Sequence, residues 1–408
     1  MHQFEPSEPI QPVGSQDIYS FIDRSKQWVL DNLPLMNGDV QAGILSLQEM
    51  ACLIQPLVTE AQYLLANYEL EDLWMARMLI QPLGFLISSL EKHYQERQHT
   101  AGTALRHLKG AEDLLFQLGK VANHPPRDSH YTNYLWNVVA PPLTYTGDPQ
   151  EVFFVRSVTR TNELHEDSYN ALLSICKGEL STESDDVCDA IKHATKNILA
   201  VRDIYRSFFH KDEKGVRNMD FDFFVQLRTF KPPFPIKGIN WTGANAGNLA
   251  VQMCLDYLIG TVMAEHSDFI DTRLRLLVGE DQAAIQAAKQ QPSLLDRLLK
   301  RLRLTHDEVQ HWDDEKMIHY FHQQDFGLQH AITAYGELVK AAGEMSAIHW
   351  SLIQNYIVRP GKRLATEGSR LAVSPEIGLT NTPHEKIKQI MEMRRNHPKI
   401  NRLLILLG

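Results

Sequence analysis

The chain has 408 residues, 43% of them hydrophobic, with 41 basic against 50 acidic side chains and a formal charge of −9. That length supports a large core and more than one domain, and an acidic balance without a basic block argues against nucleic acid as a partner. The four cysteines, Cys52, Cys176, Cys188 and Cys254, form no CxxC pair, which disfavours a disulfide scaffold, a zinc knuckle or an iron–sulfur centre. No CxxCH occurs either, so any haem is expected to be held without a covalent link.

The opening segment MHQFEPSEPIQPVGSQD has no cationic start followed by an apolar stretch, so a signal peptide is not expected and a cytoplasmic location is. Apolar residues then recur at spacings of three and four over 16–33, 39–67, 70–95, 101–120 and 150–178, which predicts a helix over each. The run MLIQPLGFLISSL within the third reads as too short and too interrupted to span a bilayer, and no membrane partner is expected. Val187, Ile191, Ala194, Ile198, Val201 and Tyr205 continue the same periodicity after the cap-like cluster Ser181, Thr182 and Ser184. Further stripes cover 247–270, 294–303 and 327–358, while alternation of the strand type is scarce.

Helices are expected to stop at His124-Pro125-Pro126, at Pro141-Pro142 and at Lys231-Pro232-Pro233-Phe234-Pro235, because proline lacks a donor and restricts its predecessor. The reading is an all-α, multi-helix bundle with a smaller N-terminal helical unit at 1–124 and a larger domain at 125–408. A single continuous core fits the lack of a flexible linker almost as well. The terminal Leu403-Leu404-Ile405-Leu406-Leu407 is expected to pack on the body.

One residue breaks the helical pattern. Ala342, Met345, His349, Leu352 and Tyr356 share a stripe, which points His349 inward. A core histidine satisfied by a carbonyl or carboxylate is the commoner explanation of such a position; a bound metal is the other. Three more segments set aromatic or small residues beside single polar groups. They are Phe153-Phe154-Val155-Arg156-Ser157, Phe223-Phe224-Val225-Gln226-Leu227-Arg228 and Ala244-Asn245-Ala246-Gly247-Asn248. Paired phenylalanines beside a hydroxyl or guanidinium suit an apolar pocket that holds an aromatic ring and fixes a carboxylate, although a core edge with a surface arginine gives the same pattern. Small residues in the third segment permit a close approach to a flat ligand, or equally to another helix.

In this order, with Cys254-Leu255-Asp256-Tyr257-Leu258-Ile259-Gly260 and Ser346-Ala347-Ile348-His349-Trp350 running on to Arg359-Pro360, the segments resemble the indoleamine 2,3-dioxygenase/tryptophan 2,3-dioxygenase superfamily. Pro125-Pro126-Arg127-Asp128, Trp136-Asn137, Tyr145-Thr146-Gly147 and Ser374-Pro375-Glu376-Ile377-Gly378 resemble most closely its monodechloroaminopyrrolnitrin synthase branch, whose chemistry rearranges a chlorinated tryptophan. The resemblance covers most of residues 125–400, and the first 120 carry no matching motif.

It implies a haem b enzyme that acts with dioxygen on tryptophan or a substituted indole amino acid, and it leaves a homo-oligomer open. His349 would be the axial iron ligand and Arg228 the carboxylate clamp. Phe223 and Phe224 would wall the ring on one side and Phe153 and Phe154 on the other. Ser157 would be the polar group above the iron, and Ala246 and Gly247 would line the distal face. His130, Asn133 and Tyr134 fall near pocket-lining positions. Where the dioxygenases carry a glycine- and threonine-rich closing loop, this chain reads Glu376-Ile377-Gly378-Leu379-Thr380-Asn381-Thr382. Leu379 and Asn381 replace flexible glycines, which puts plain ring cleavage in doubt, while Thr380 remains a candidate contact for the amino-acid head group.

Two rival readings stand beside this one. Glu308-x-x-His311 has the spacing of a di-iron helical site, but the chain contains that pair only once, and a solvated, helix-capping charged face explains it. A non-catalytic helical scaffold that binds haem or a partner is the other, and it has no need of both His349 and Arg228.

Overall fold

The computed structural model describes residues 15–67, 73–179, 185–245 and 249–359. In chain order the first elements are α1 (Ser15–Gln41), α2 (Leu47–Asn67), α3 (Leu73–Glu96), α4 (Thr103–His107), α5 (Ala111–Val121), a π-helical turn at Tyr131–Leu135, α6 (Pro149–Lys177), α7 (Asp185–Ser207) and α8 (Phe221–Thr229). A short antiparallel hairpin follows, β1 (Phe234–Ile236) and β2 (Ile239–Trp241), with Phe234 opposite Trp241. Then come α9 (Ala250–Ile259), α10 (Ala264–Arg273), α11 (Gly279–Gln290), α12 (Leu294–Leu302), α13 (His306–His311), α14 (Asp314–His322) and α15 (Phe326–Ile353), which tightens into a π-helical turn at Gln354–Val358. The fold is all-α, and the hairpin is the sole sheet among the described residues. Two expected helices are divided: 101–120 breaks at Gly110, which sits at φ 77°, and 247–270 breaks at Gly260, at φ 93°. Both glycines adopt a left-handed conformation that other residues reach only with strain.

The described residues group into two units, one holding 15–156 and 222–245, the other 157–221 and 249–359. The first is built around α3. This helix is 24 residues long and apolar enough by length and composition to cross a membrane, longer than the interrupted run in the sequence suggested, yet 89% of its apolar window is buried within protein. Its burial requires polar side chains to find partners inside. Glu91 accepts hydrogen bonds from the backbone N–H groups of Gly102 (2.7 Å) and Ala104 (2.9 Å), holding the start of α4. Ser89 donates to Asn37 Oδ1 at 2.5 Å, and Asn37 donates to the Tyr145 carbonyl at 2.8 Å.

The second unit is a helical core laid along α7 and α15. Of the predicted stripe of α7, Val187, Ile191, Ala194, Ile198 and Val201 are each at most 2% exposed, while Tyr205 at its end is half-buried. Leu294, Leu295, Leu298, Leu299 and Leu302 of α12 fill the same core. α12 begins with a capping box in which Ser293 and Asp296 satisfy each other's backbone N–H. Arg202 on α7 pairs with Glu344 on α15 at 2.5 Å. Tyr356 closes the far end, its hydroxyl shared between the carbonyls of Phe208 (2.8 Å) and Met219 (2.9 Å) as a single bifurcated donor.

Candidate active site

In the first unit, the chain between α5 and α6 is pinned by a buried ion pair. Arg127 and Asp128 have fully buried side chains with Nη2 to Oδ1 at 2.6 Å. Arg127 also donates to the carbonyls of Pro232 (2.7 Å) and Trp241 (3.0 Å), and its guanidinium lies 4.0 Å from the Phe234 ring centre, tying this segment to the hairpin. Ser88 of α3 donates to Asp128 Oδ1, and Tyr145 donates to Oδ2 at 3.3 Å. The π-helical turn at Tyr131–Leu135 follows at once and sets Asn133 to donate to Tyr145 Oη at 3.0 Å. Such turns recur at functional sites because they reposition side chains that a regular helix would place elsewhere.

Around this turn the aromatic residues singled out in the sequence come together. The Tyr134 ring meets Phe154 of α6 edge to face at 5.4 Å, and Phe154 meets Phe224 of α8 in the same way at 5.3 Å. The two phenylalanine pairs were expected on opposite sides of a ligand ring, whereas Phe154 and Phe224 are in direct contact. Phe153 and Phe223 are half-buried. Arg228, on the last turn of α8, is half-buried too, and desolvation lowers its guanidinium to about 10, offset by the neighbouring Tyr134 hydroxyl.

Lys231, read in the sequence only as part of a proline stop, is buried beside these rings. Its ammonium donates to Tyr134 Oη and lies 4.7 Å from the Tyr134 ring centre and 5.4 Å from that of Phe154. Burial pushes it down to about 8. His130, 2% exposed, packs against Tyr134 at 5.4 Å, and burial lowers it to about 3, so its ring is neutral. No sequence signal marks Lys231, because a lysine before Pro-Pro is ordinarily a solvated loop residue.

In the second unit, Ser157 on α6 is buried at 8% exposure. His349 of α15 is half-buried rather than fully inward, since the stripe it shares turns from buried Ala342 and Met345 to half-buried Leu352. Its ring packs against Tyr205 of α7 at 5.1 Å and 31°. One turn earlier Ser346 is 1% exposed, and its hydroxyl has no hydrogen-bond partner in the structure. Haem brings its own nitrogen donors to iron, and one imidazole of the protein would be enough to hold it. A half-accessible imidazole with an orphaned buried hydroxyl one turn away fits that need. Among the described residues no three His, Cys, Asp or Glu side chains are grouped to hold a bare metal ion.

The di-iron pair has other employment. Glu308 accepts from Thr305 N and Oγ1 at 2.8 Å each, as the capping box of α13, and His311 Nδ1 is 2.8 Å from the Asp307 carbonyl. Ala246, Gly247 and Thr380 lie outside the described residues. Of the other predicted site residues, Phe153, Phe154, Phe223, Phe224 and Arg228 belong to the first unit, and Ser157 and His349 to the second. Compared with known protein families, residues 46–351 match the profile of monodechloroaminopyrrolnitrin synthase PrnB.

Proposed function

The chain belongs to the monodechloroaminopyrrolnitrin synthase family, within the indoleamine/tryptophan dioxygenase-like haem oxygenases, and from that membership we propose how its own residues serve the reaction. It is an oxidoreductase of an indole amino acid, and its family uses oxygen to rearrange tryptophan-derived rings. The finer reading is a haem b enzyme in which His349 would hold the iron and Arg228 the substrate carboxylate. Two separate observations support it: in the first unit a desolvated but partly accessible Arg228 neighbours Tyr134, whose ring begins the Tyr134–Phe154–Phe224 series, and in the second unit a half-accessible His349 packs on Tyr205.

Haem, when bound, supplies the redox chemistry that brings dioxygen to the indole. The protein's part is positioning and exclusion of water. Arg228 offers a planar fork matched to a carboxylate, and its desolvated setting strengthens that attraction. Phe154 and Phe224, braced edge to face, present an apolar surface on which an indole ring can rest while water is kept out. Ser157, buried on α6, is a hydroxyl able to hold a proton or orient a polar atom of a ligand.

Purified full-length protein is expected to show an intense Soret band that His349→Ala abolishes with the fold retained by circular dichroism. A colourless preparation containing iron without porphyrin would favour a non-haem site instead. Tryptophan or a halotryptophan is expected to shift the band, and Arg228→Ala to remove that shift. An unchanged shift refutes the carboxylate role.

A further inference from the structure

We propose that Lys231 is a second cationic anchor for the substrate carboxylate, acting beside Arg228 within the aromatic cluster of the first unit. The inference rests on the reading of Arg228 given above and adds a positioning residue to it. Lys231 is 8% exposed, and its ammonium carries three donors, of which one is used on the Tyr134 hydroxyl. The rings of Tyr134 and Phe154 offer their faces to the charge but accept no ordinary hydrogen bond.

The carboxylates close enough to influence Lys231 are already committed. Glu151 accepts from the N–H groups of Tyr145 and Thr146 at 2.9 Å each and from Thr146 Oγ1 at 2.7 Å. Asp128 is taken by Arg127, Ser88 and Tyr145. Neither forms an ion pair with Lys231. A buried ammonium with unused donors is a standing free-energy cost that an incoming anion relieves. Lys231 follows Arg228 by one turn, its backbone N–H donating to the Arg228 carbonyl at 3.1 Å, so a single anion bound by both side chains would satisfy two cations. On an indole amino acid the only such group is the carboxylate. Tyr134, held on the π-helical turn, fixes the direction of the ammonium by accepting its first hydrogen bond.

The test is equilibrium binding of L-tryptophan and of tryptamine, which lacks the carboxylate, to the full chain by isothermal titration calorimetry. Lys231→Met is expected to weaken tryptophan by about tenfold or more and to leave tryptamine within about twofold, with Lys231→Arg keeping most of the affinity. In the unmutated protein, tryptophan affinity falls as pH rises past about 8, where Lys231 loses its charge, while tryptamine affinity does not follow. The groups facing Lys231 are Glu151 of α6, Asp128 and Tyr134 flanking and within the π-helical turn, His130 beside it, and Arg228 of α8. Any pH dependence that belongs to Glu151 survives in Lys231→Met, which separates the two. Equal loss of both ligands, or loss of neither, overturns the role of Lys231 if Arg228→Ala still selectively loses tryptophan. If Arg228→Ala also leaves tryptophan untouched, the carboxylate reading itself falls. Should Lys231→Met fail to fold, the pH comparison on the unmutated protein decides the question, and parallel curves for the two ligands reject the proposal.

Discussion

His124 and His130 show how strongly single residues near this site are governed by their surroundings. Both are buried, and desolvation lowers each to about 3 from the usual histidine range. Between pH 6.5 and 3 the unfolded chain therefore binds protons that the folded chain refuses, so stability present above pH 6.5 is lost as the pH falls. Two such groups give a slope of up to about 2.7 kcal/mol per pH unit. Urea unfolding at pH 7, 5.5 and 4.5 is expected to show this decline, and His130→Gln to make it shallower. A decline of undiminished slope in His130→Gln would exclude a contribution from that ring. Sequence placed His130 and Tyr134 near the pocket through resemblance, but the neutrality of one and the lysine on the other come from neighbours far apart in the chain. Lys231 and Tyr134 are 97 residues apart.

At the level of elements, close packing of α3 on the Arg127–Asp128 segment depends on one glycine. A Cβ added at Gly84 meets the Asp128 backbone nitrogen at 2.8 Å and its Cα at 3.0 Å. Helix propensity favours Gly84→Ala by about 1 kcal/mol, whereas forcing the two backbones apart costs about 1–3 kcal/mol and loosens the Ser88–Asp128–Arg127 network. Overpacking wins, so Gly84→Ala is expected to lower stability in thermal or urea melts and to weaken tryptophan binding through displaced Tyr134. In the second unit, Ser293→Ala removes the side-chain half of the α12 capping box, at a cost of about 1 kcal/mol by denaturant titration. This should leave tryptophan binding unchanged, since α12 packs in the core of the second unit and Arg228 belongs to the first. The helices themselves were legible: 16–33, 39–67, 70–95 and 150–178 correspond to α1, α2, α3 and α6 within a few residues at most ends, with α1 running on to Gln41. The shorter α8, α11, α13 and α14 were not marked, because six to twelve residues give the apolar period too few turns to stand out.

For the whole molecule, Leu379 and Asn381, which by resemblance stand where the dioxygenases have loop glycines, belong to residues 360–408, outside those described. Incubation with tryptophan and halotryptophans under labelled dioxygen, followed by mass spectrometry, is expected to give a rearranged product rather than N-formylkynurenine. Formation of N-formylkynurenine as the main product would return the chain to simple ring cleavage. Periodicity and proline stops were enough to determine an all-α chain, because both depend on local spacing along the sequence, and the family was legible there as a resemblance carried by short motifs in a fixed order. Tertiary structure alone decided which polar groups are deprived of water. It buried α3 despite its membrane-like composition, left His349 half-accessible against Tyr205, and carried Lys231 into an aromatic cluster with two donors unspent. Desolvation is a property of everything packed around a group, and no local pattern records it.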